Sequence, residues 1–463
     1  MKPTSRWTCE PYDVAAAARL SALLGLSPAA AAILTRRGHG DPAAARAFLR
    51  ADERSDPSEL SGVAQACEVI LRHVHAGTRI AIFGDYDVDG VCSTAMMVRT
   101  LRALGAQPLW RLPSRDEGYG LSAAVVRELA GAGAKLLVTV DCGVGSLEEV
   151  VVARECGMEV VVTDHHRPSQ TLPDCPVVHP GLGPGPDREL CAAGVVLKLS
   201  EALREGAGLD PGEADEDLDL AGLATVCDMV PLQGENRRIG RQGIAALART
   251  RRPGLRALMR VAGLEPGDVD ARAASFRLGP RINAAGRLQR ADAALELLLT
   301  EDSGRAEQVA RELDSLNRDR QEAEQRMLSA ADAACADQLH AAAIVVAGEG
   351  WHPGVAGIVA SRLVERHRRP CVVIALDGAA GRGSGRSIEP YDLHAGIASG
   401  KRHLLGFGGH RMAAGLQIQA DRVAQFRGAL AAHAGERLSP VDLAAVQGVD
   451  AVLGGDGLTL DLA

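Results

Sequence analysis

Phe83-Gly84-Asp85-Tyr86-Asp87-Val88-Asp89-Gly90 completes the apolar run Ile80-Ala81-Ile82-Phe83, and this junction decides the reading of the chain. A short run that is apolar at consecutive positions predicts a strand buried on both faces. Three carboxylates at alternating positions stand directly behind it. The pattern recurs where Leu136-Leu137-Val138-Thr139-Val140 is followed by Asp141, and where Val160-Val161-Val162-Thr163 is followed by Asp164-His165-His166. Helix-like stretches, Ser93 to Ala103 and Ser146 to Glu155, separate the runs. Buried strands alternating with helices predict a parallel α/β sheet, and such sheets bind ligands beyond the carboxyl ends of their strands. Acids placed there three times point to a site.

Three carboxylates within five residues repel one another, and a bound cation is the usual remedy. An EF-hand loop counted from Asp85 would need a bidentate Glu at its twelfth position, where this chain has Met96 and a strand in place of the first helix. Asp141 alone could equally cap the following helix. A fourth acid, Asp228, stands in the apolar run Val226-Cys227-Asp228-Met229-Val230-Pro231, and buried acids are rare unless paired or metal-bound. Together these positions offer up to five carboxylates and one or two imidazoles, which suits two divalent ions sharing a bridging carboxylate. Carboxylate with imidazole and no thiolate favours Mn2+, with Mg2+ second. Two such ions ~3.5–4 Å apart serve in-line displacement, so the chemistry expected is hydrolysis at phosphorus.

At 463 residues the chain is too long for one ordinary core. Residues 1–55 read as a helical N-terminal appendage, 56–304 as the catalytic α/β domain, 305–338 as a connecting helix and 339–438 as a smaller α/β domain. Residues 439–463 read as a tail. The helix carries apolar or small residues at Val309, Leu313, Leu316, Ala323, Met327, Ala330 and Ala334, with Arg320 in the same register. A dimerising coiled coil is the alternative, but three of the eight seam positions are Ala and one is Arg. A monomer is expected. The ten cysteines include no C-x-x-C pair and read as reduced, buried thiols. No apolar run nears the ~18 residues of a membrane span and no signal-peptide core follows Met1, so a cytoplasmic location without membrane contact is expected. The net charge of −8 argues against whole-surface nucleic-acid binding. The charge is segregated, however. Arg362 to Arg411 holds nine Lys/Arg against four Asp/Glu, whereas Glu201 to Glu235 holds ten acids and one Arg.

These residues resemble the DHH phosphoesterase superfamily and, within it, the RecJ family of bacterial single-strand-specific exonucleases. The resemblance spans about residues 55 to 440. It rests on Asp85-Tyr86-Asp87-Val88-Asp89-Gly90, on Asp164-His165-His166, on Gly279-Pro280-Arg281-Ile282-Asn283-Ala284-Ala285-Gly286-Arg287-Leu288 and on the segment from Glu349 to Arg362. Gly408-Gly409-His410 with Ala413-Ala414-Gly415 is similar to the signature of the DHHA1 domain. The resemblance implies that Asp87, Asp89, Asp141, His165 and Asp228 are metal ligands, with Asp141 bridging and Asp85 a further or supporting acid. It implies that His166 meets the scissile phosphate. Substrate contacts are then expected from Arg281, Asn283, Arg287, His352, Ser384, Arg386, Gly408, Gly409 and His410. Arginine suits phosphate because its planar fork donates two bonds at once.

The implied activity is 5′→3′ hydrolysis of single-stranded DNA to mononucleotides in repair and recombination, with single-strand-binding protein and a helicase as partners. A phosphodiesterase acting on short oligonucleotides or cyclic dinucleotides is the alternative within the superfamily. A non-catalytic scaffold is opposed by the intact ligand set. Two departures stand out. RecJ proteins usually continue into an OB-fold where this chain ends, so the tail reads as that fold's possible start. Aromatic residues are only 3% of the chain, leaving Trp351 and Tyr119 as base-stacking candidates.

Overall fold

The computed structural model describes residues 6–454 apart from 115–116, 119, 184–187, 289 and 445. The chain forms two compact units. One is Arg46–Asn317; the other joins the segment before Arg46 to the chain from Arg318 onward.

The first unit is built on five strands: β1 (Ile80–Gly84), β2 (Leu109–Arg111), β3 (Leu136–Val140), β4 (Glu159–Thr163) and β5 (Val177–Val178). Their order is β2-β1-β3-β4-β5, and every pairing is parallel. The apolar runs are buried on both faces because alternate residues feed different cores. Ile80, Ile82, Leu136, Val138 and Val161 enter one core; Ala81, Phe83, Leu137, Val160 and Val162 enter the other. The first core is completed by helices α1 (Val63–His75), α2 (Val88–Ala103), α3 (Ala192–Gly206), α4 (Leu218–Asp228) and α5 (Gly279–Leu288). The second is closed by the helices Ala123–Gly131 and Leu147–Glu155.

The sheet register sets the site. Gly84 pairs with Val140 and Val140 with Thr163, so β1, β3 and β4 end level and Asp85, Asp141 and Asp164 emerge side by side. Helix α2 starts five residues before the expected Ser93. Asp87 caps it by accepting from the amides of Asp89 (3.0 Å) and Gly90 (3.1 Å), so Asp89 lies in its first turn and not in a loop.

Helix α6 runs Ser303–Cys335 without a break. Its first half contributes Ala306, Val309, Ala310 and Leu313 to the core of the first unit, and its last turns place Met327, Ala331 and Cys335 in a core of the second. Arg320 is buried in the middle with Glu324 at 2.6 Å, which accounts for a charge in the apolar register.

The second unit carries β6 (Ile344–Glu349), β7 (Cys371–Asp377), β8 (Ala380–Arg386), β9 (Leu404–Gly409) and β10 (Ala413–Gln419), in the order β9-β10-β8-β7-β6. Only β6 and β7 are parallel. Helix α7 (Pro353–His367) covers one face, while α8 (Leu393–Ser399) and α9 (Val423–Gly435) cover the other. Three helices between Val14 and Arg50 precede the first sheet, and Arg6–Thr8 pairs in parallel with Val446–Gly448. Among the described residues no helix is long and apolar enough to cross a membrane.

Candidate metal centre

Asp85, Asp87, Asp89, Asp141, His165, His166 and Asp228 converge at the carboxyl edge of the parallel sheet. Their donor atoms form three overlapping groups, each within 4.8 Å: Asp85-Asp87-Asp141, Asp89-His165-Asp228 and Asp141-His165-His166. Nε2 of His165 lies 3.2 Å from Asp141, 3.7 Å from Asp89 and 3.8 Å from Asp228. Asp228 is the last residue of α4, which brings it to the cluster from outside the sheet.

Each side chain is aimed by its backbone. Asp141 takes a left-handed conformation (φ 62°), a turn that Asp tolerates better than most residues and that directs its carboxylate into the cluster. Asp89 is buried and accepts the amides of Ala192 (2.7 Å) and Ala193 (2.8 Å) at the start of α3, so a helix N-terminus holds its charge. Asp164 accepts from Val144 N at one oxygen, and at the other from the amides of His165 and His166 and from His166 Nδ1 at 2.8 Å. Asp164 belongs to none of the three donor groups; it shapes the turn that presents the two histidines.

The electrostatics suit a cation. Burial, followed by the charges of Asp228 and Asp87, pushes Asp89 well above the usual carboxylate range. Burial and then the charges of Asp89, Asp87 and Asp85 do the same to Asp141. Asp228 rises to about 6 through burial and the charge of Asp87. Carboxylates that resist ionisation together are a donor set to which a divalent ion restores charge balance. The adjacent imidazoles diverge. Burial and His166 lower His165 to about 4, leaving it neutral with a lone pair to donate. Burial pulls His166 down as well, but its hydrogen bond to Asp164 and that carboxylate's charge outweigh this and raise it. A neutral imidazole able to act as a ligand thus stands beside a hydrogen-bond donor suited to an anion.

Helix α5 braces the first acidic motif. Asn283 Oδ1 accepts from Val88 N at 3.1 Å, and Gly286 lies so close to Tyr86 that an added Cβ would stand 2.7 Å from its carbonyl oxygen. Arg281, expected at substrate, pairs with Asp314 at 2.9 Å, and Arg287 is half-buried on the same helix.

In the second unit, Gly408, Gly415 and Ser384 form one row across β9, β10 and β8. Arg386, two residues along, faces the same way, with Nη1 3.2 Å from Ser384 Oγ. Gly357 of α7 packs against this pair; a Cβ there would meet Arg386 Nη2 at 2.9 Å and Ser384 Oγ at 3.0 Å. His352 caps α7 by accepting from Gly354 N at 3.1 Å. Gly409 has φ 130°, and the exposed His410 donates its amide to Ala413 O at 2.7 Å. Trp351 packs on the core beneath α7, and Tyr119 lies outside the described residues.

The model of the DHH family, N-terminal domain, matches residues 79–225, and that of the DHHA1 domain matches residues 338–436. The chain is 40% identical over 467 residues to the single-stranded-DNA-specific exonuclease RecJ of Bacillus subtilis (strain 168), covering 98% of this chain and 58% of that protein. It is 39% identical over 398 residues to the protein of that name from Escherichia coli (strain K12), covering 80% of this chain and 68% of the other. The crystal structure of RecJ in complex with Mn2+ from Thermus thermophilus superposes with a TM-score of 0.89 at 34% identity, covering 100% of this chain and 67% of that one. The chain therefore spans 58% of the length of its Bacillus relative.

Proposed function

The chain belongs to the RecJ family, and from that premise we propose that it is a divalent-metal-dependent exonuclease that hydrolyses single-stranded DNA from the 5′ end to mononucleotides, in repair and recombination. The observation that carries the reading is the pair of shared donors: Asp141 and His165 each belong to two of the three donor groups. That sharing supports two ions, with Asp141 as the bridge, Asp87, Asp89, His165 and Asp228 as the remaining ligands, and Asp85 at the edge of the set. Carboxylate-rich donors with one neutral imidazole favour Mn2+, with Mg2+ as the second choice. When bound, such ions supply water activation at neutral pH and charge neutralisation at phosphorus.

The chain's own groups supply the rest. His166 donates Nδ1–H to Asp164, which favours its protonated form and leaves Nε2–H to donate to a non-bridging phosphate oxygen. Ser384 and Arg386, beside the glycine row of β8–β10, receive the phosphate at the strand's end. His352, Gly408, Gly409 and His410 of the second unit, and Arg281, Asn283 and Arg287 on α5 of the first, are the further residues proposed to contact the strand. Single-strand-binding protein and a helicase are the partners that would expose such a strand.

Titration of the metal-free protein with Mn2+, followed by electron paramagnetic resonance, tests the centre: two ions per chain are expected. Asp141→Asn keeps a residue that tolerates the left-handed backbone and removes the bridging charge. It should lose ordered two-ion binding and all turnover while melting in chelator no lower than wild type. Retained Mn2+-dependent hydrolysis in that variant would refute the assignment.

A further inference from the structure

His179 follows β5 and lies beneath the turn that presents His165 and His166. It is 2% exposed, and its own amide donates to Ser61 O at 3.3 Å. Gly181 N lies 2.9 Å from its Nδ1, and a backbone amide can only donate, so Nδ1 carries the lone pair. The ring proton therefore sits on Nε2, which lies 2.7 Å from the carbonyl oxygen of His166, a pure acceptor. These two partners fix the tautomer.

The turn at 164–166 is thus held from two sides. Asp164 takes the amides of His165 and His166, and His179 takes the carbonyl of His166. Register keeps the parts together: Thr163 pairs with Val178, and Asp164 N donates to Val178 O at 3.1 Å. Nothing in the spacing of the acidic motifs points to a histidine thirteen residues further on.

We propose that His179 is a positioning residue of the metal centre, orienting the His165-His166 turn through its Nε2–H bond to the His166 carbonyl; this rests on the reading of that cluster as a metal site. Outer hydrogen bonds that orient ligands influence metal affinity by about 10- to 100-fold.

Two amide variants separate this role from simple support of the 179–181 turn. Asparagine ends near the place of Nδ1 and keeps the acceptor for Gly181 N. Glutamine reaches the place of Nε2 and keeps the donor to His166 O. The readout is Mn2+ affinity of the metal-free full chain, measured by electron paramagnetic resonance beside a thermal melt. His179→Asn should weaken Mn2+ binding at least about 10-fold, and His179→Gln should stay within about threefold of wild type. The reverse ranking, or equal behaviour of the two variants, overturns the proposal. The titration uses no DNA: if wild type binds Mn2+ yet leaves single strands uncut, the nuclease reading fails while the ranking still decides the role of His179.

Discussion

Replacing an acid of the metal centre should stabilise the metal-free protein. Asp228 is the position where the size of the effect can be worked out. Its pKa rises from an ordinary 3.8 to about 6 because it is largely buried and faces the charge of Asp87. Below 3.8 the group is neutral in both folded and unfolded chains and costs nothing. As pH climbs, the unfolded chain ionises first, so the folded state loses relative stability until Asp228 ionises near 6, after which the deficit is constant. That interval corresponds to about 3 kcal/mol. The side chain is 25% exposed, so solvent screening reduces the expectation to roughly 1–2 kcal/mol at pH 7.5.

Asp228→Asn is isosteric with the protonated acid and removes this deficit. In chelator the variant should melt roughly 2–8 °C above wild type at pH 7.5. The gap should shrink to about a third at pH 4.5. Saturating Mn2+ should reverse the order, since only wild type has the full ligand set to gain from binding. Differential scanning fluorimetry at the two pH values, with chelator and with Mn2+, measures all of this. A variant melting at or below wild type in chelator at pH 7.5 would refute the repulsion from which the metal site is argued.

Further outcomes follow from the elements around the centre. Gly286→Ala would place a methyl 2.7 Å from Tyr86 O, so the first acidic motif must shift; a loss of about 1–3 kcal/mol in stability with a steeper loss of Mn2+ affinity is expected. Wild-type metal binding in that variant would show that α5 does not set the motif. Asn283→Ala leaves Val88 N without its acceptor and should cost about 1–2 kcal/mol in a denaturant melt. Arg386→Ala should weaken binding of a 5′-phosphorylated oligonucleotide roughly 10- to 100-fold more than that of its 5′-hydroxyl counterpart, since a charged hydrogen bond is lost. Equal losses on the two ends would reduce Arg386 to general attraction for the strand.

The strands were legible because their apolar runs are continuous and end in acids. Ile80–Gly84, Leu136–Val140 and Glu159–Thr163 stand where the sequence places them, with Asp85, Asp141 and Asp164 level at one edge. The start of α2 was less legible: the helix was expected from Ser93, and only the bonds of Asp87 to Asp89 N and Gly90 N mark it as the cap of a helix that begins at Val88. Support from distant residues left no local mark. Asn283 reaches Val88, and Ala192 and Ala193 reach Asp89, across about a hundred residues or more, so no spacing rule relates them.

The acidic stretch from Glu201 to Glu235 also changes meaning in three dimensions. Asp217 pairs with Arg99 at 2.8 Å, Asp219 with Arg252 at 3.0 Å, and Glu235 with both Lys198 (2.9 Å) and Arg238 (2.6 Å). Those acids are buried and internally compensated, so linear charge segregation overstates the negative surface there.

Whether the Asp141–His165 cluster cuts single strands from one end is decided by digestion of 5′-labelled and 3′-labelled single-stranded DNA beside a matching duplex, with and without Mn2+. Labelled mononucleotide should appear at once from the 5′-labelled strand and late from the 3′-labelled one, only with metal and only on single strands. Inert long strands together with rapid cleavage of dinucleotides would contradict the exonuclease reading and make the centre that of a small-substrate phosphodiesterase.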